Sequence, residues 1–491
     1  MESVSSFSPA LAVLASLIGA IMVLIFGRLP NIREGFSVGA GIVKFGIVAS
    51  MIPVVMDGKL VELKLWELLP GLPVMFRVDA FGLLFGLVAS FLWIFTTLYS
   101  IGYMRALKEH AQTRYFFCFA IAISSAIGVA FSANLFTLFI FYEILTISTY
   151  PLVVHIETPE AMRAGRKYLL YLLTAGVFFL FSIVAVYHYT GTTDFAPGGI
   201  LEGKGIPENM LKLLFITFMI GSAKAAFMPL HSWLPTAMIA PTPVSALLHA
   251  VAVVKVGVFT ATRIILYVFG VDLMNETGLA LAMAYFAAFT IIVASIFALT
   301  HDNLKKRLAY STISQLSYII LGAALLTPAG ITGGMLHILN HAFTKITLFF
   351  CAGAIIVASG KEKISEMNGI GKQMPLTMLA FTLGALGMAG IPATAGFISK
   401  LYLLIGTVEA LQIPLLLVLL ASTLLNVAYF FPVIINAFFK RPEKEQSFKE
   451  APLFMLVPLI LTGLISILLG ILPDAPLAIV RIAVANLMGG T

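Results

Sequence analysis

Five ionisable side chains interrupt segments of the sequence that otherwise carry almost no charge. They are Glu143, Lys224, Lys255, Lys345 and Lys400. A charge at the centre of a bilayer costs about 2.5–3.5 kcal/mol on insertion scales, so it is rarely retained without a function. The same segments also contain His249, His337 and His341. All eight side chains can bind and release protons, and together they predict a proton path through a membrane.

The composition places these residues in a membrane protein. Of 491 residues, 60% are hydrophobic and only 11% are charged, and the mean hydropathy is +1.02. Soluble domains carry about 25% charged residues. The composition therefore excludes a soluble protein and predicts an all-α polytopic membrane protein. The net charge of +7 does not indicate a nucleic-acid partner, because the position of the charges matters more than their sum.

Fourteen apolar segments are each long enough to predict a transmembrane helix. Their approximate bounds are 9–27, 35–56, 78–101, 115–131, 133–155, 168–190, 210–229, 243–267, 277–299, 309–327, 331–358, 376–407, 410–438 and 451–481. No stretch between them is long enough for a soluble domain. The sequence therefore predicts a single membrane domain over 1–491.

The basic residues between these segments predict an orientation. Eighteen lysines and arginines follow odd-numbered segments, whereas seven lie on the opposite side. Loops rich in lysine and arginine remain in the cytoplasm. We therefore expect the richer side, with Lys305–Arg307 and Lys361–Lys372, to be cytoplasmic and both termini to be external.

Two segments contain residues that break helices. The seventh has Pro229 and Pro235 shortly after Lys224, and the twelfth has Gly390 and Pro392 shortly before Lys400. A proline removes an amide donor and clashes with the preceding turn. Exposed backbone at membrane depth persists only where it lines a cavity or is buried in protein. Paired interruptions in corresponding segments are typical of inverted-repeat transporters, so segments four to eight and nine to thirteen are candidate repeats.

The spacing of the remaining titratable residues predicts which of them share a helix face. Steps of four residues place His337, His341 and Lys345 on one face, about 6 Å apart at a rise of 1.5 Å per residue. His249 and Lys255 are six residues apart and cannot share a face. One of these two is therefore expected to point away from the path, and a lone helical histidine is as often a satisfied core residue.

Structural interpretations of the charged residues remain open beside the functional one. Glu143 could form an ion pair that only clamps two helices, and Lys400 could extend its ammonium group to the membrane surface. Lys44 has no obvious acidic partner and receives no assignment.

Nothing in the sequence predicts a bound metal or cofactor. Cys118 and Cys351 lie in separate apolar segments, so we expect free thiols and no disulfide. The stretch Gly198–Gly205 has the spacing of a phosphate-binding loop but ends in glycine where serine or threonine must bind magnesium. Four further histidines lie at predicted helix ends, where no function is needed: His110, His155, His188 and His301.

Several motifs resemble those of one family. Pro-Leu-His-Ser-Trp-Leu-Pro at 229–235 and Ala-Pro-Thr-Pro-Val-Ser-Ala-Leu-Leu-His at 240–249 are the most distinctive. Asp79-Ala-Phe-Gly, Tyr99-Ser-Ile-Gly-Tyr103, the segment around Glu143, and the stretches 306–315 and 336–345 agree with them. Over residues 70–440 the chain resembles the antiporter-like subunits of Mrp-type sodium/proton antiporters, membrane-bound energy-converting hydrogenases and respiratory complex I. The D-type Mrp subunit and its hydrogenase counterpart are the nearest match.

The resemblance implies fourteen helices with two inverted five-helix repeats and broken helices seven and twelve. The N-terminal helices would occupy 1–110, the repeats 114–267 and 277–438, and the last helix 451–481. It also implies roles along a midplane axis. Glu143 and Lys224 would form a gating ion pair, Lys255 with His249 would connect the halves, Lys345 with His337 and His341 would continue the path, and Lys400 would be the terminal exchanger, a position at which some members have glutamate.

The implied function is proton translocation by one subunit of a larger membrane complex in a prokaryotic cell membrane. Redox chemistry in partner subunits would drive it. The redox sites would belong to those partners, because two isolated cysteines cannot supply an iron–sulfur, flavin or nickel site. Other membrane subunits and a hydrogenase or redox module would be the partners. A subunit of a stand-alone sodium/proton antiporter and a non-translocating structural subunit remain alternatives, and the chain itself contains no catalytic centre that identifies an enzyme.

Overall fold

Long apolar helices form nearly the whole chain in the computed structural model, which describes residues 2–442 and 447–489. Lys444, one of the basic residues counted for orientation, lies outside the described residues. The first helices are α1 (Ser8–Ile25), α2 (Pro30–Ala49), α3 (Ile52–Met56), α4 (Ala80–Ala106), α5 (Gln112–Ala130), α6 (Leu135–Val153) and α7 (Pro159–Thr190).

The middle of the chain contains shorter and irregular helices. They are α8 (Glu208–Gly221), α9 (Trp233–Thr236), α10 (Thr242–Ala246), α11 (Val253–Arg263), α12 (Val271–Glu276), α13 (Leu279–Thr300) and α14 (Leu304–Ala324). Two π-helical stretches, Leu247–Val251 and Ile264–Phe269, follow α10 and α11. With them, α10 and α11 form one apolar helix over Thr242–Phe269.

The C-terminal part returns to long helices with one interruption. Its elements are α15 (Pro328–Ser359), α16 (Ile370–Gln373), α17 (Pro375–Ala389), α18 (Ala395–Glu409), α19 (Ile413–Phe439), α20 (Leu453–Ile471) and α21 (Asp474–Leu487). Several long helices start at a residue whose side chain accepts a hydrogen bond from a backbone amide of the first turn, which satisfies one otherwise free donor. These caps are Asp79, Asn134, Thr158, Asn303 and Thr327.

A small sheet covers one end of the helices, and the sequence analysis did not predict it. Strands β1 (Ser3–Ser5), β2 (Leu60–Leu69) and β3 (Leu72–Val78) lie in that order, with β1 parallel to β2 and β2 antiparallel to β3. The short hairpin turn contains Gly71 at φ +78°, a conformation that glycine adopts without a steric penalty. The sheet's two long strands lie in the stretch that hydropathy assigned to a loop, because they are too short and too polar to span a membrane.

The centre of the molecule is formed by two helices that are apolar on all sides. The helix Thr242–Phe269 is buried throughout its most apolar window, and α15 is buried over most of its length. A helix that is hydrophobic all round belongs in the interior. α15 packs against α14, α17, α18 and α20. These two central helices carry Lys255, His337, His341 and Lys345, so the fold encloses the residues on which the proposed path depends.

Among the described residues, eleven helices are long and apolar enough to cross a membrane. α14 and the interrupted pairs α8/α9 and α17/α18 are not among these eleven. If they also cross, the total is the predicted fourteen, which stays a prediction together with the inverted repeats. The segment predicted over 451–481 is divided in the structure between α20 and α21, because Pro473 disfavours helical geometry at Leu472.

Candidate functional site: a file of buried lysines and histidines

The first interruption surrounds Lys224. α8 ends at Gly221, a single 3₁₀ turn covers Ala223–Ala225, and helical structure resumes only at Trp233. Pro229 lies in the irregular stretch between them, and Pro235 lies within α9. The indole Nε1 of Trp233 donates a hydrogen bond of 3.1 Å to the carbonyl of Ala223. The next turn of helix therefore satisfies one of the backbone groups that the break releases.

Lys224 is fully buried and its ammonium group has one side-chain acceptor. Nζ donates to the Thr146 hydroxyl at 2.7 Å and lies 3.2 Å from the centroid of the Tyr142 ring. A cation over an aromatic face is stabilised by the ring quadrupole. The turn can approach α11 closely because residue 257 is glycine. A Cβ there would lie 2.1 Å from the amide nitrogen of Ala225.

Glu143 lies beside Lys224 but is not bonded to it. No salt bridge within 4.0 Å joins the two side chains in the described part of the chain, and one carboxylate oxygen of Glu143 is buried without a hydrogen-bond partner. Thr146, which binds Lys224, lies one helical turn after Glu143 on α6. A Cβ on Gly176 of α7 would come within 2.6 Å of Glu143 Oε1. The ion pair implied by the family resemblance is thus open in this structure, and Gly176 provides the space for the carboxylate.

Lys255 and His341 form a direct contact between the two central helices. Lys255 Nζ and His341 Nδ1 are 2.8 Å apart, and both side chains are buried. Lys255 thus reaches His341, whereas its expected companion His249 does not join the pair. Both ring nitrogens of His249 lack hydrogen-bond partners among the described residues, and its ring packs 4.7 Å from that of Phe349. Lys255 is therefore the member of this pair that makes a direct contact with a histidine of α15 among the described residues.

His337 lies one turn from His341 on the same helix. These two histidines and the buried Lys224, Lys255, Lys345 and Lys400 are called the lysine–histidine file below. The centroids of the His337 and His341 rings are 5.9 Å apart, close to the separation expected for a four-residue step. His337 Nδ1 lies 2.8 Å from the Ser399 hydroxyl, and Nε2 lies 3.1 Å from Oε1 of Gln315. Both nitrogens of this buried imidazole therefore have oxygen partners on neighbouring helices, one on α18 and one on α14.

Lys345 binds oxygen atoms of α14 rather than a carboxylate. Its Nζ donates to the Ser311 hydroxyl at 2.9 Å and to the Leu308 carbonyl at 3.3 Å. The phenol of Tyr429 donates to Ser311 Oγ at 3.0 Å and also contacts the side-chain oxygen of Asn426. Hydrogen bonds between hydroxyl and amide groups therefore connect Lys345 to α19.

The second interruption holds Lys400. α17 ends at Ala389 and α18 begins at Ala395, with Gly390 and Pro392 between them. Lys400 reaches back to the break, and Nζ donates to the carbonyl of Met388 at 2.7 Å and to that of Ala389 at 3.3 Å. The last carbonyls of a helix lack intrahelical donors and attract cations. The ammonium group therefore binds the free end of α17 instead of extending to the membrane surface.

Asn426 links the two ends of this network. Its Nδ2 donates to the Met388 carbonyl at 3.4 Å, the same oxygen that accepts from Lys400. Its Oδ1 accepts from Gln315 at 3.4 Å and contacts Tyr429. A continuous set of hydrogen bonds therefore connects Lys345 and Lys400, and Gln315 joins His337 to it.

The four buried lysines of the site form no direct ion pair with a carboxylate within the part of the chain that the structure describes. Among the described residues, none of the four axis lysines has a carboxylate within 4.0 Å, and the lysine salt bridges present involve Lys59, Lys64 and Lys212 on the surface. An ammonium group that is balanced only by neutral oxygens is not held permanently in its charged form. Each of these lysines is therefore able to release its proton.

Sequence reasoning missed the neutral members of this site. They are Thr146, Ser311, Gln315, Ser399, Asn426 and Tyr429. Buried amide side chains in apolar helices provide a usable signal, because they must find hydrogen-bond partners. Gln315 and Asn426 fit that description, since both lie in predicted apolar segments and are fully buried. The serine and threonine members give no such signal, because these residues commonly bond to their own helix backbone.

Lys44 and Arg263 are among the other buried basic residues that lie outside the file. Lys44 is fully buried without a hydrogen-bond acceptor in the described structure, and its Nζ lies 4.8 Å from the centre of the Trp93 ring. Arg263, one of the seven basic residues that the sequence places on the external side, is buried in α11. It makes two hydrogen bonds of 2.6 Å to the carboxylate of Asp79, which also caps α4. This pair ties the start of α4 to the end of α11.

Comparisons with known proteins agree with the fold. A model of the family "NADH:quinone oxidoreductase/Mrp antiporter, TM" matches residues 132–426. NADH-quinone oxidoreductase subunit N of Desulforudis audaxviator is 33% identical over 401 residues, which cover 78% of this chain and 79% of that protein. F(420)H(2) dehydrogenase subunit L of Methanosarcina mazei is 32% identical over 78% of this chain, although the match spans only 62% of that subunit.

Solved structures resemble almost the whole chain. A chain of an archaeal membrane-bound sulfane sulfur reductase complex superposes with a TM-score of 0.87 and 26% identity, covering 98% of each chain. A chain of the Mrp complex from Dietzia sp. DQ12-45-1b superposes with a TM-score of 0.85, covering 97% of each. At 22% identity this second likeness concerns the fold alone. The matched region contains both helix interruptions and the whole lysine–histidine file, and the chain belongs to the NADH:quinone oxidoreductase/Mrp antiporter transmembrane family.

Proposed function

We propose that this chain is a proton-translocating, antiporter-like subunit of a multisubunit membrane complex. Protons would move along a path formed by eight side chains: Glu143, Lys224, Lys255, His249, His341, His337, Lys345 and Lys400. Redox chemistry in partner subunits would drive the movement. Electron carriers belong to those partners in this proposal, since the two cysteines of this chain are isolated and buried.

The observation that carries the proposal is the hydrogen-bonded connection between Lys345 and Lys400. Four buried side chains or backbone oxygens join the two ammonium groups, through Ser311, Tyr429, Asn426 and the Met388 carbonyl. A structural subunit would have no need to keep two unpaired lysines in contact with one polar network, because apolar residues of similar volume would pack at least as well.

The arrangement of elements supports two further parts of the proposal. Residues 114–267 and 277–438 would be the inverted repeats, since each half contains one interrupted helix with a lysine at or beside the break. The subunit would lie in the cell membrane of a prokaryote, with both termini external and the loops that contain Lys305–Arg307 and Lys361–Lys372 in the cytoplasm. The imbalance of basic residues supports this orientation.

The test compares two buried lysines, one in the file and one outside it. Lys255 contacts His341, whereas Lys44 faces the Trp93 ring and has no hydrogen-bond acceptor among the described residues. We expect Lys255→Met to abolish proton uptake by vesicles that contain the native complex, measured at equal complex abundance. Lys44→Met should leave uptake unchanged, since an apolar side chain of similar length replaces an unpaired buried amine.

The same vesicles distinguish the alternatives. Uptake that needs the redox substrate of the partners supports the proposed drive, whereas uptake that needs only an imposed sodium gradient identifies a stand-alone antiporter. If Lys255→Met and Lys224→Met both assemble and pump at the normal rate, the chain is a structural subunit and the proposal is wrong.

A further inference from the structure

Two histidines lie together outside the lysine–histidine file, and their sequence positions indicated no function for them. His110 is in the loop between α4 and α5, and His155 is in the loop between α6 and α7. Their rings stack with centroids 4.9 Å apart. Glu109 lies near both rings, and its Oε2 is 3.8 Å from His155 Nε2 and 4.0 Å from His110 Nδ1. One donor atom from each of these three side chains lies within 4.8 Å of the other two.

His155 is the feature that an ordinary loop contact does not explain. Its side chain is completely buried, and neither ring nitrogen has a hydrogen-bond partner within residues 2–442 and 447–489. A buried polar group without a partner destabilises the folded protein. The carboxylate oxygen Oε2 of Glu109 is 3.8 Å from His155 Nε2, which is too far for a hydrogen bond. An ion held between the two side chains would satisfy the imidazole and the carboxylate together.

The charged residues around the cluster leave the carboxylate of Glu109 available to bind a metal ion. Arg114 donates to Glu157 Oε1 at 2.6 Å and so neutralises that side chain. Glu109 has no lysine or arginine within 4.0 Å among the described residues, and only 19% of its side chain is exposed. The cluster thus combines an unneutralised, mostly buried carboxylate with two imidazoles.

The backbone holds the three donors in place from both loops. The amide of Glu109 donates to the Met104 carbonyl at 3.0 Å, and the side chain of Gln112 donates to the Glu109 carbonyl at 3.1 Å. The amide of His155 donates to the Leu152 carbonyl at 3.4 Å. Both loops are therefore anchored to the adjacent helices, which fixes the backbone positions of the three ligand residues.

We propose that Glu109, His110 and His155 bind a divalent transition-metal ion, for which Zn²⁺ is the best match. Two neutral imidazoles and one carboxylate are common zinc ligands at about 2.0–2.2 Å, and water would complete a tetrahedral set. Neighbouring ligands in such a site are about 3.4 Å apart, so the donor atoms need to close by at most about 1.5 Å. Hard cations such as Mg²⁺ prefer oxygen ligands and should bind poorly.

The site would connect two loops that are far apart in sequence. His155 follows α6, which carries Glu143, and Glu109 with His110 precedes α5. A bound ion would fix the end of α6 relative to the α4–α5 loop. The proposal does not depend on proton translocation, because it concerns metal affinity alone.

The test measures zinc binding by the purified complex. The protein should carry an affinity tag without histidine and be stripped with a chelator. Zn²⁺ is then titrated in competition with a chromophoric chelator. We expect one zinc ion per chain that His155→Ala removes, with affinity at least about 100-fold lower, since even changes around metal ligands cost about 10–100-fold. His188→Ala is the matched control, because this histidine is exposed on α7 away from the cluster.

Two further variants keep the test decisive if His155→Ala fails to fold. His110→Ala and Glu109→Gln change partly exposed side chains, and each should weaken zinc binding by at least about 10-fold. Added Zn²⁺ should also raise the melting temperature of the unsubstituted complex but not that of either variant. If all three variants bind zinc as tightly as the His188→Ala control, or if the unsubstituted complex binds none, the proposal is overturned.

Discussion

Individual lysines of the file are stabilised by different kinds of oxygen atom. Lys224 donates to a hydroxyl and faces an aromatic ring, Lys345 donates to a hydroxyl and a carbonyl, and Lys400 donates to carbonyls at a helix end. All these acceptors are neutral. A residue that carries a proton must lose it in each cycle, so the identity of the side chain matters as much as its charge.

Lys224→Arg tests that requirement. The guanidinium group stays protonated under all conditions relevant to a protein, so the variant keeps the positive charge but cannot release a proton. We expect proton uptake by vesicles to fall at least about 100-fold, the range in which positioned acid–base groups contribute. Lys212→Arg is the control, because Lys212 is exposed on α8 and bonded to Glu208. Normal pumping by Lys224→Arg would show that Lys224 is a fixed charge and that the proposed mechanism is wrong.

Helices determine where the chemical groups lie. On α7, Gly176 leaves space for the carboxylate of Glu143 because glycine has no side chain. A Cβ at Gly176 would come within 2.6 Å of Glu143 Oε1. We expect Gly176→Ala to displace the carboxylate and to reduce proton uptake at least about 10-fold while the complex still assembles. Alanine usually stabilises a helix relative to glycine. A loss of uptake in Gly176→Ala would therefore not result from a weaker helix.

The matched control for this prediction is Gly39→Ala in α2. Nothing lies within 4 Å of a Cβ at that position, so uptake should be normal. Equal rates for Gly176→Ala and the control would mean that the position of the Glu143 carboxylate does not limit transport.

α19 contributes the phenol that joins two parts of the network. Tyr429→Phe removes one hydroxyl, and it leaves Ser311 Oγ and the side-chain oxygen of Asn426 without that partner. The loss of one buried hydrogen bond is worth about 1.4 kcal/mol, equivalent to a factor of about ten. We therefore expect uptake to fall by about tenfold. Tyr285→Phe, which removes an exposed hydroxyl bonded to Gln412, should have no effect, and a similar loss in both variants would exclude a specific role for Tyr429.

The orientation of the whole molecule can be measured with single cysteines. Cys118 and Cys351 are both buried, so they should react slowly with an impermeant maleimide. Lys363 and Lys204 are exposed in loops on predicted opposite sides. In intact cells we expect Lys204→Cys to be labelled rapidly and Lys363→Cys only after the membrane is permeabilised. The reverse pattern would invert the topology.

The sequence by itself determined the class of protein, most of the helices and the identity of the titratable residues. Hydrophobic length and isolated charges are local properties, and so are the prolines and glycines that interrupt helices beside Lys224 and Lys400. These features can be read one segment at a time, because hydrophobic length, isolated charges and helix-breaking residues are present in the segment itself.

Only the tertiary structure decided which groups touch. It paired Lys255 with His341 instead of His249, left Glu143 and Lys224 without a direct bond, and joined Lys345 to Lys400 through Asn426. It also formed a sheet from strands too short for hydropathy to detect and brought His110 to His155. Contacts of a few ångströms between helices depend on how those helices pack and rotate, and that packing results from side-chain interactions between residues far apart in the sequence.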